Sequence, residues 1–301
     1  MSDESPPRRR IGIFLWLLPL WLIVSAAGGI WLYYRNQAKE ARVEQIRFTI
    51  RVSESGLHDD VGKFLGFIGE RHVSSEAGQQ GLTRAAAMIE GSLGPGNAGY
   101  AIERLRGPDP RWPILIVTLR GKDESAAPLW VVAGYDARPG TPGTELNATG
   151  TVSTIAAASA LANASPRRSV VFAFLPHAYD PEAPLLETFD ILRQRAGKAG
   201  EMLVVESMGS SAELMVSTRD AENRALAVTG GLGEVVGAEA ICLEDDFDLS
   251  SVLFEIGLPA VRVASRPVLR PDEADDGAPD PGLHAAATEG LVTLIGRLSD
   301  S

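Results

Sequence analysis

Residues 129–175 read LWVVAGYDARPGTPGTELNATGTVSTIAAASALANASPRRSVVFAFL, and this stretch decides the fold class. It opens on a short apolar run rich in β-forming residues, 129–133, and closes on a second such run, 170–175. Between them, residues 149–164 form an alanine-rich segment, which favours a helix. Near-continuous apolar strands are typical of parallel strands that are covered on both faces of a sheet. The stretch therefore predicts a strand–helix–strand unit.

The same alternation continues on both sides of this unit. Apolar runs favour strands at 113–119, 202–205 and 259–264, and helical patterns are found at 61–68, 81–93, 185–195, 248–256 and 283–298. Strands that alternate with helices predict an α/β domain with a mixed, largely parallel central sheet flanked by helices. We expect this domain to occupy residues 56–301. The segment 266–281, rich in Pro, Asp and Gly, is expected to lie mobile over one face.

Charge excludes one class of partner. The chain of 301 residues has 28 basic and 39 acidic residues, a net charge of −11, and residues 36–301 hold 37 of the acids but only 24 of the bases. So acidic a body repels a phosphate backbone, which excludes nucleic acid as a partner. Cys242 is the only cysteine, so neither an internal disulfide nor a thiolate metal site is possible within one chain.

The N-terminal region has a composition of its own. After a short tail, 1–10, residues 11–34 form an uncharged run of 24 residues, of which 12 are Leu, Ile, Val or Phe. About 20 apolar residues are enough to span a bilayer, so we predict a single transmembrane helix followed by a polar stalk, 35–55. A cleaved signal peptide is the alternative, although its apolar region is shorter. The prediction implies a single-pass protein of the cell membrane whose soluble domain lies outside the cytoplasm.

Seven segments of the soluble part, taken in order, resemble the M28 family of zinc aminopeptidases. They are VGKFLGFIGERHVSSEAGQQGLTRAAAMIEGSL (61–93), LIVTLRGK (115–122), LWVVAGYDARPG (129–140), PGTELNATG (142–150), VVFAFL (170–175), LVVESMG (203–209) and IGLPAVRV (256–263). The resemblance covers nearly the whole of residues 55–298. It implies a zinc-aminopeptidase-like fold, with the site on loops at the carboxyl ends of the strands.

The family's ligands can be followed position by position, and most are missing. In the family the first strand ends in a His-x-Asp motif; here Gly134 replaces the histidine ligand, and Asp136, the residue that orients it, remains. Leu146 stands at the position of the bridging aspartate. Ala178 and Tyr179 stand where the family has a general-base glutamate followed by a ligand glutamate.

The remaining two ligand positions differ from each other. Glu206 corresponds to the fourth ligand and is still a carboxylate, whereas the stretch expected to hold the last histidine, 261–277, contains none. A catalytic zinc needs three protein ligands and an open position. The resemblance therefore implies no bound metal, no cofactor and no catalytic residue, and a non-catalytic binding or assembly module with a protein or peptide partner.

Two other interpretations stay open. Asp136, His177 and Glu206 could form a rearranged or mononuclear zinc site, which would make the protein an active metallo-aminopeptidase. The chain could instead be a structural subunit of an envelope complex that is bound mainly through the transmembrane helix and the stalk.

Overall fold

The computed structural model describes residues 25, 28–31, 33, 52–218, 223–231, 238–242, 248–269, 273–275 and 277–301. The chain forms two compact units, Met1–Ile50 and Arg51–Ser301. The described residues of the first unit are helical. The tail 1–10, most of the predicted span 11–34 and stalk residues 35–51 lie outside the described residues. Within the described residues, no helix has both the length and the apolar character needed to cross a membrane.

The second unit alternates helices and strands along most of its length. Its helices are α1 (Glu54–Lys63), α2 (Glu76–Leu93), α3 (Thr149–Leu161), α4 (Leu185–Ala196), α5 (Arg224–Gly231), α6 (Leu249–Glu255) and α7 (Pro281–Asp300). Its strands are β1 (Glu103–Leu105), β2 (Ile114–Leu119), β3 (Leu129–Gly134), β4 (Val170–Leu175), β5 (Glu201–Val205), β6 (Leu214–Thr218), β7 (Ala238–Cys242) and β8 (Ala260–Ala264). Two single π-helical turns, Phe64–Ile68 and Thr144–Ala148, continue α1 and precede α3.

Side-chain caps explain where several helices begin. Ser53 accepts a hydrogen bond from an amide in the first turn of α1, and Ser75 does the same for α2. Asp248 caps α6, and Asp280 caps α7 directly before a proline at the first helical position. Each cap satisfies an amide that has no partner inside the helix.

The strands described form one mixed sheet in the order β1-β2-β4-β3-β5-β8-β6-β7. The four central strands β4, β3, β5 and β8 are parallel to one another. β2 pairs antiparallel with β4 on one side, and β6 pairs antiparallel with β8 on the other. The prediction of a mixed sheet flanked by helices is therefore confirmed, and its four parallel strands all end at the same edge.

Alternate residues of the central strands fill two hydrophobic cores, one on each face of the sheet. Val131 and Phe172 belong to the core that α1, α2, α3 and α7 cover. Trp130 and Ala173 belong to the core under α4 and α6. Because both faces are covered, β3 and β4 are buried along their whole length, which is why their sequences are continuous apolar runs.

Candidate functional site

The loops that follow the parallel strands bring five of the predicted positions close to one another. Gly134 ends β3, and Asp136 follows it; Ala178 and Tyr179 follow β4; Glu206 follows β5. A sixth residue joins them from the middle of β8, Arg262. We call these six residues, Gly134, Asp136, Ala178, Tyr179, Glu206 and Arg262, the strand-end site.

Asp136 organises the backbone of the loop after β4. Its Oδ2 atom accepts hydrogen bonds from the amides of Ala178, Tyr179 and Asp180 at 2.8, 2.9 and 3.0 Å. The side chain is fully buried, and its Oδ1 atom has no hydrogen-bond partner among the described residues. Burial raises the pKa of Asp136 to about 6, against the opposing effect of the three amides. The residue that orients a metal ligand in the family here supports a loop.

Tyr179 fills the space that a side chain at position 134 would need. A Cβ atom placed on Gly134 would lie 2.5 Å from Cε2 of Tyr179 and 2.7 Å from Cβ of Ala178. Both distances are shorter than any ordinary carbon–carbon contact, so even alanine does not fit without a shift. The glycine at 134 and the aromatic ring at 179 therefore depend on each other in one packing arrangement.

Glu206 is already bound on both of its oxygens. The Tyr179 hydroxyl donates to Oε1 at 2.7 Å, and Nε of Arg262 donates to Oε2 at 2.7 Å. Both members of the Glu206–Arg262 ion pair are buried, with 2% and 1% of their side chains exposed. Burial raises the pKa of Glu206, and the Arg262 charge and the Tyr179 hydroxyl oppose that shift. The pKa of Tyr179 is raised well above its usual value by burial and by the nearby carboxylate, so Tyr179 remains a hydrogen-bond donor.

Leu146 lies buried in the π-helical turn before α3. Its amide donates to the Asp275 carboxylate at 3.2 Å, and the Asp275 carbonyl accepts from the Thr141 hydroxyl at 2.8 Å. On the other side of the turn, Arg71 donates to Asn147 Oδ1 at 2.8 Å and to the Pro142 carbonyl at 2.7 Å. The segment that was expected to be mobile, 266–281, is thus hydrogen-bonded to this turn through Asp275.

His177 lies in a different place from its neighbour Tyr179. Its Nδ1 atom is 3.2 Å from the Thr188 hydroxyl of α4, and Trp112 packs edge-on against its ring with the centroids 6.1 Å apart. His177 lines a cleft of about 370 Å³ between the segment 108–112 and the start of α4. Besides His177, we use five of its lining residues to define the His177 cleft: Asp109, Arg111, Trp112, Pro184 and Glu187.

The donor set does not fit the zinc ions that aminopeptidases of the M28 family bind. Both Glu206 oxygens are engaged, and the adjacent guanidinium of Arg262 would repel a dication. Among the residues that the structure describes, no group of three or more His, Cys, Asp or Glu side chains is arranged to hold a metal ion. Asp136, His177 and Glu206 in particular do not form such a group. Position 146 supplies only a buried hydrocarbon side chain.

Arg262 is the residue of the strand-end site that sequence reasoning missed. The signal was present, because an arginine stands in the middle of the apolar segment PAVRVA, which was predicted as a strand. A charged residue in a buried strand needs a buried counter-charge. The sequence does not show which carboxylate that is, since Glu206 lies 56 residues away.

Comparisons with known proteins support the fold. The sequence-family model described as Peptidase family M28 matches residues 115–176, from β2 to the loop after β4. No curated protein matches the chain significantly in sequence.

Solved structures with the same architecture include aminopeptidases and glutaminyl cyclases. The LapA aminopeptidase of Legionella pneumophila is 13% identical, with a TM-score of 0.64 over 83% of this chain and 72% of that one. A glutaminyl cyclase from an Acidobacteriales bacterium is 16% identical, with a TM-score of 0.61 over 83% and 95% of the two chains. A Zn-dependent exopeptidase from Parabacteroides distasonis is 11% identical, with a TM-score of 0.56 over 82% and 98%. At this level of identity the likeness establishes the fold alone.

Proposed function

We propose that the protein is a non-catalytic binding or assembly module built on the M28 peptidase-like fold. The observation that carries the proposal is the strand-end site, where Arg262 and Tyr179 satisfy the carboxylate of Glu206. A metal hydrolase leaves its carboxylates available to cations and keeps an open coordination position for water. This chain instead supplies its own cation and its own hydrogen-bond donor.

The fold by itself does not indicate a reaction. Its neighbours include enzymes named as aminopeptidases and enzymes named as glutaminyl cyclases, so related architectures support more than one chemistry. The activity must therefore be inferred from the site. At the strand-end site, the position of the family's general base holds the methyl group of Ala178, which can neither activate water nor bind a metal.

Membrane attachment is the second part of the proposal. The 24 uncharged residues of 11–34, preceded by Arg8, Arg9 and Arg10, support a single-pass anchor with the body outside the cytoplasm. In that arrangement the acidic domain would be held near the membrane, where a protein or peptide partner would bind it.

The test is metal analysis combined with an activity assay on the purified full-length chain. We expect far less than one zinc per chain after exposure to excess zinc and dialysis. We also expect no hydrolysis of aminoacyl-p-nitroanilides above that of the Glu206→Gln variant. One or two zinc ions per chain, together with hydrolysis that Glu206→Gln abolishes, would establish the metallo-aminopeptidase alternative and overturn the proposal.

A further inference from the structure

His177, which lines the His177 cleft, has a ring nitrogen without a hydrogen-bond partner in the part of the chain that the structure describes. His177 is fully buried, and its Nε2 atom has no hydrogen-bond partner among the described residues. A buried polar atom without a partner is costly, so its persistence in a cleft points to a ligand that completes it. This atom lies outside the strand-end site.

The hydrogen bonds around His177 decide which proton the ring carries. The Thr188 hydroxyl donates its single proton to the Pro184 carbonyl at 3.0 Å. It can therefore only accept at its 3.2 Å contact with His177, so Nδ1 carries the proton and donates. In the neutral ring this leaves Nε2 as a bare acceptor. Burial lowers the pKa of His177, which favours the neutral ring at physiological pH.

The charges around the cleft favour a cation. Arg111 donates to both oxygens of Asp109, and its guanidinium lies 4.1 Å from the centre of the Trp112 ring, so its charge is compensated within the lining. Glu187, in the first turn of α4, is exposed and forms no ion pair with any residue that the structure describes. The lining therefore has one net negative charge, from the two carboxylates of Asp109 and Glu187 and the one guanidinium of Arg111.

We propose that the His177 cleft binds the basic side chain of a partner polypeptide, a lysine ammonium or an arginine guanidinium, which donates to His177 Nε2 and faces Glu187. The proposal rests on the function proposed above, since it names the chemistry of the partner. A basic partner also suits the net charge of −11, which attracts cations over a longer range. The prolines of the lining, such as Pro184, supply an apolar wall for the aliphatic stem of the side chain.

The test is calorimetric titration of the full-length chain in detergent with blocked tripeptides. The probes are acetyl-Ala-Lys-Ala-amide, acetyl-Ala-Arg-Ala-amide, and the same peptide with norleucine or glutamate at the centre. We expect the lysine and arginine peptides to bind at least tenfold more tightly than the norleucine peptide. We expect the glutamate peptide to bind least.

Three variants locate the interaction. His177→Phe keeps a ring of similar size and should weaken binding of the lysine peptide tenfold or more. Glu187→Gln, which changes an exposed residue, should weaken it three- to tenfold without affecting folding. Glu54→Gln is the matched control, because Glu54 is also an exposed carboxylate in the first turn of a helix, and it should leave the affinity unchanged.

Three results would overturn the proposal as stated. Equal affinity for the lysine and norleucine peptides would exclude recognition of the charge, and binding that neither His177→Phe nor Glu187→Gln weakens would exclude this cleft. n-Butylamine that binds as tightly as the lysine peptide would replace the polypeptide with a free amine as the ligand. All three outcomes leave the metal and activity results of the proposed function unchanged, so the two proposals fail separately.

Discussion

His177 and Tyr179 belong to the same loop and take part in two regions with opposite properties. In the strand-end site, the Tyr179 hydroxyl, Glu206 and Arg262 bind one another, so the charged groups are satisfied inside the protein. In the His177 cleft, the Nε2 atom of His177 has no hydrogen-bond partner and the exposed carboxylate of Glu187 has no ion-pair partner among the described residues. The comparison teaches that the charged groups at the strand-end site are used inside the protein, whereas the groups available to bind a partner lie beside that site.

Arg262→Met is the strongest way to break this contrast. The change leaves the Glu206 carboxylate buried without its cation, and we expect a loss of about 3–5 kcal/mol in the free energy of unfolding. Denaturation in urea measures it. The double variant Arg262→Met/Glu206→Gln should recover most of the loss, because no uncompensated charge remains. Glu187→Gln in the His177 cleft should change stability by less than about 0.5 kcal/mol. A loss below about 1 kcal/mol for Arg262→Met would contradict the assignment of Glu206 and Arg262 to stability.

Asp136→Asn sharpens the contrast through its pH dependence. Because burial raises the pKa of Asp136 to about 6 in the folded protein, from an ordinary value of 3.8, the folded state binds the proton more tightly than the unfolded chain does. The contribution of Asp136 to stability is therefore complete below pH 4 and is lost as the pH rises towards 6. The asparagine variant does not titrate at this position.

The measurement for Asp136 is the difference in unfolding free energy between wild type and Asp136→Asn at several pH values. Relative to the variant, the wild type should lose about 3 kcal/mol between pH 3.5 and pH 7, with little further change above pH 7. A difference that is constant over this range would show that the three amides cancel the effect of burial on the pKa of Asp136. A difference that increases with pH would show that they outweigh it.

Gly134→Ala has the smallest expected effect of the three. The added methyl group would overlap the Tyr179 ring and Ala178, and we expect a loss of about 1–3 kcal/mol in unfolding free energy. In a Tyr179→Ala background the same change should cost less, since the ring is absent. Gly62→Ala is the control, because a Cβ there meets nothing within 4 Å and the residue lies inside α1. An equal cost in both backgrounds would show that the loss of stability does not come from contact with the Tyr179 ring.

The central fold was predictable because its strands are buried on both faces. The apolar run predicted at 170–175 coincides with β4, and the helix predicted at 185–195 differs from α4 by one residue. The strands β1, β6 and β7 were not predicted. β1 has only three residues, two of which are charged. β6 and β7 lie at the opposite side of the sheet and contain both polar and apolar residues. None of the three strands therefore forms a continuous apolar run.

At the site, the resemblance located the positions but did not predict the contacts that their residues make. It located Gly134, Leu146, Tyr179 and Glu206, and the first and third of these are now seen to pack together. The hydrogen bonds made at these positions join residues far apart in the chain, such as Leu146 and Asp275, which are 129 residues apart. No local pattern predicts such a pair, because it depends on where the loops meet in three dimensions.

The packing of Tyr179 against Gly134 opposes a single substitution that would introduce a histidine at this strand end. A histidine introduced at 134 would collide with the phenol ring of Tyr179, and removing the ring first would deprive Glu206 of one of its two hydrogen-bond donors. We expect each of these two substitutions, made alone, to give a less stable protein. Gly134, Tyr179 and Glu206 therefore behave as one coupled unit, in which changing any one residue alone disturbs the packing or the hydrogen bonding of another.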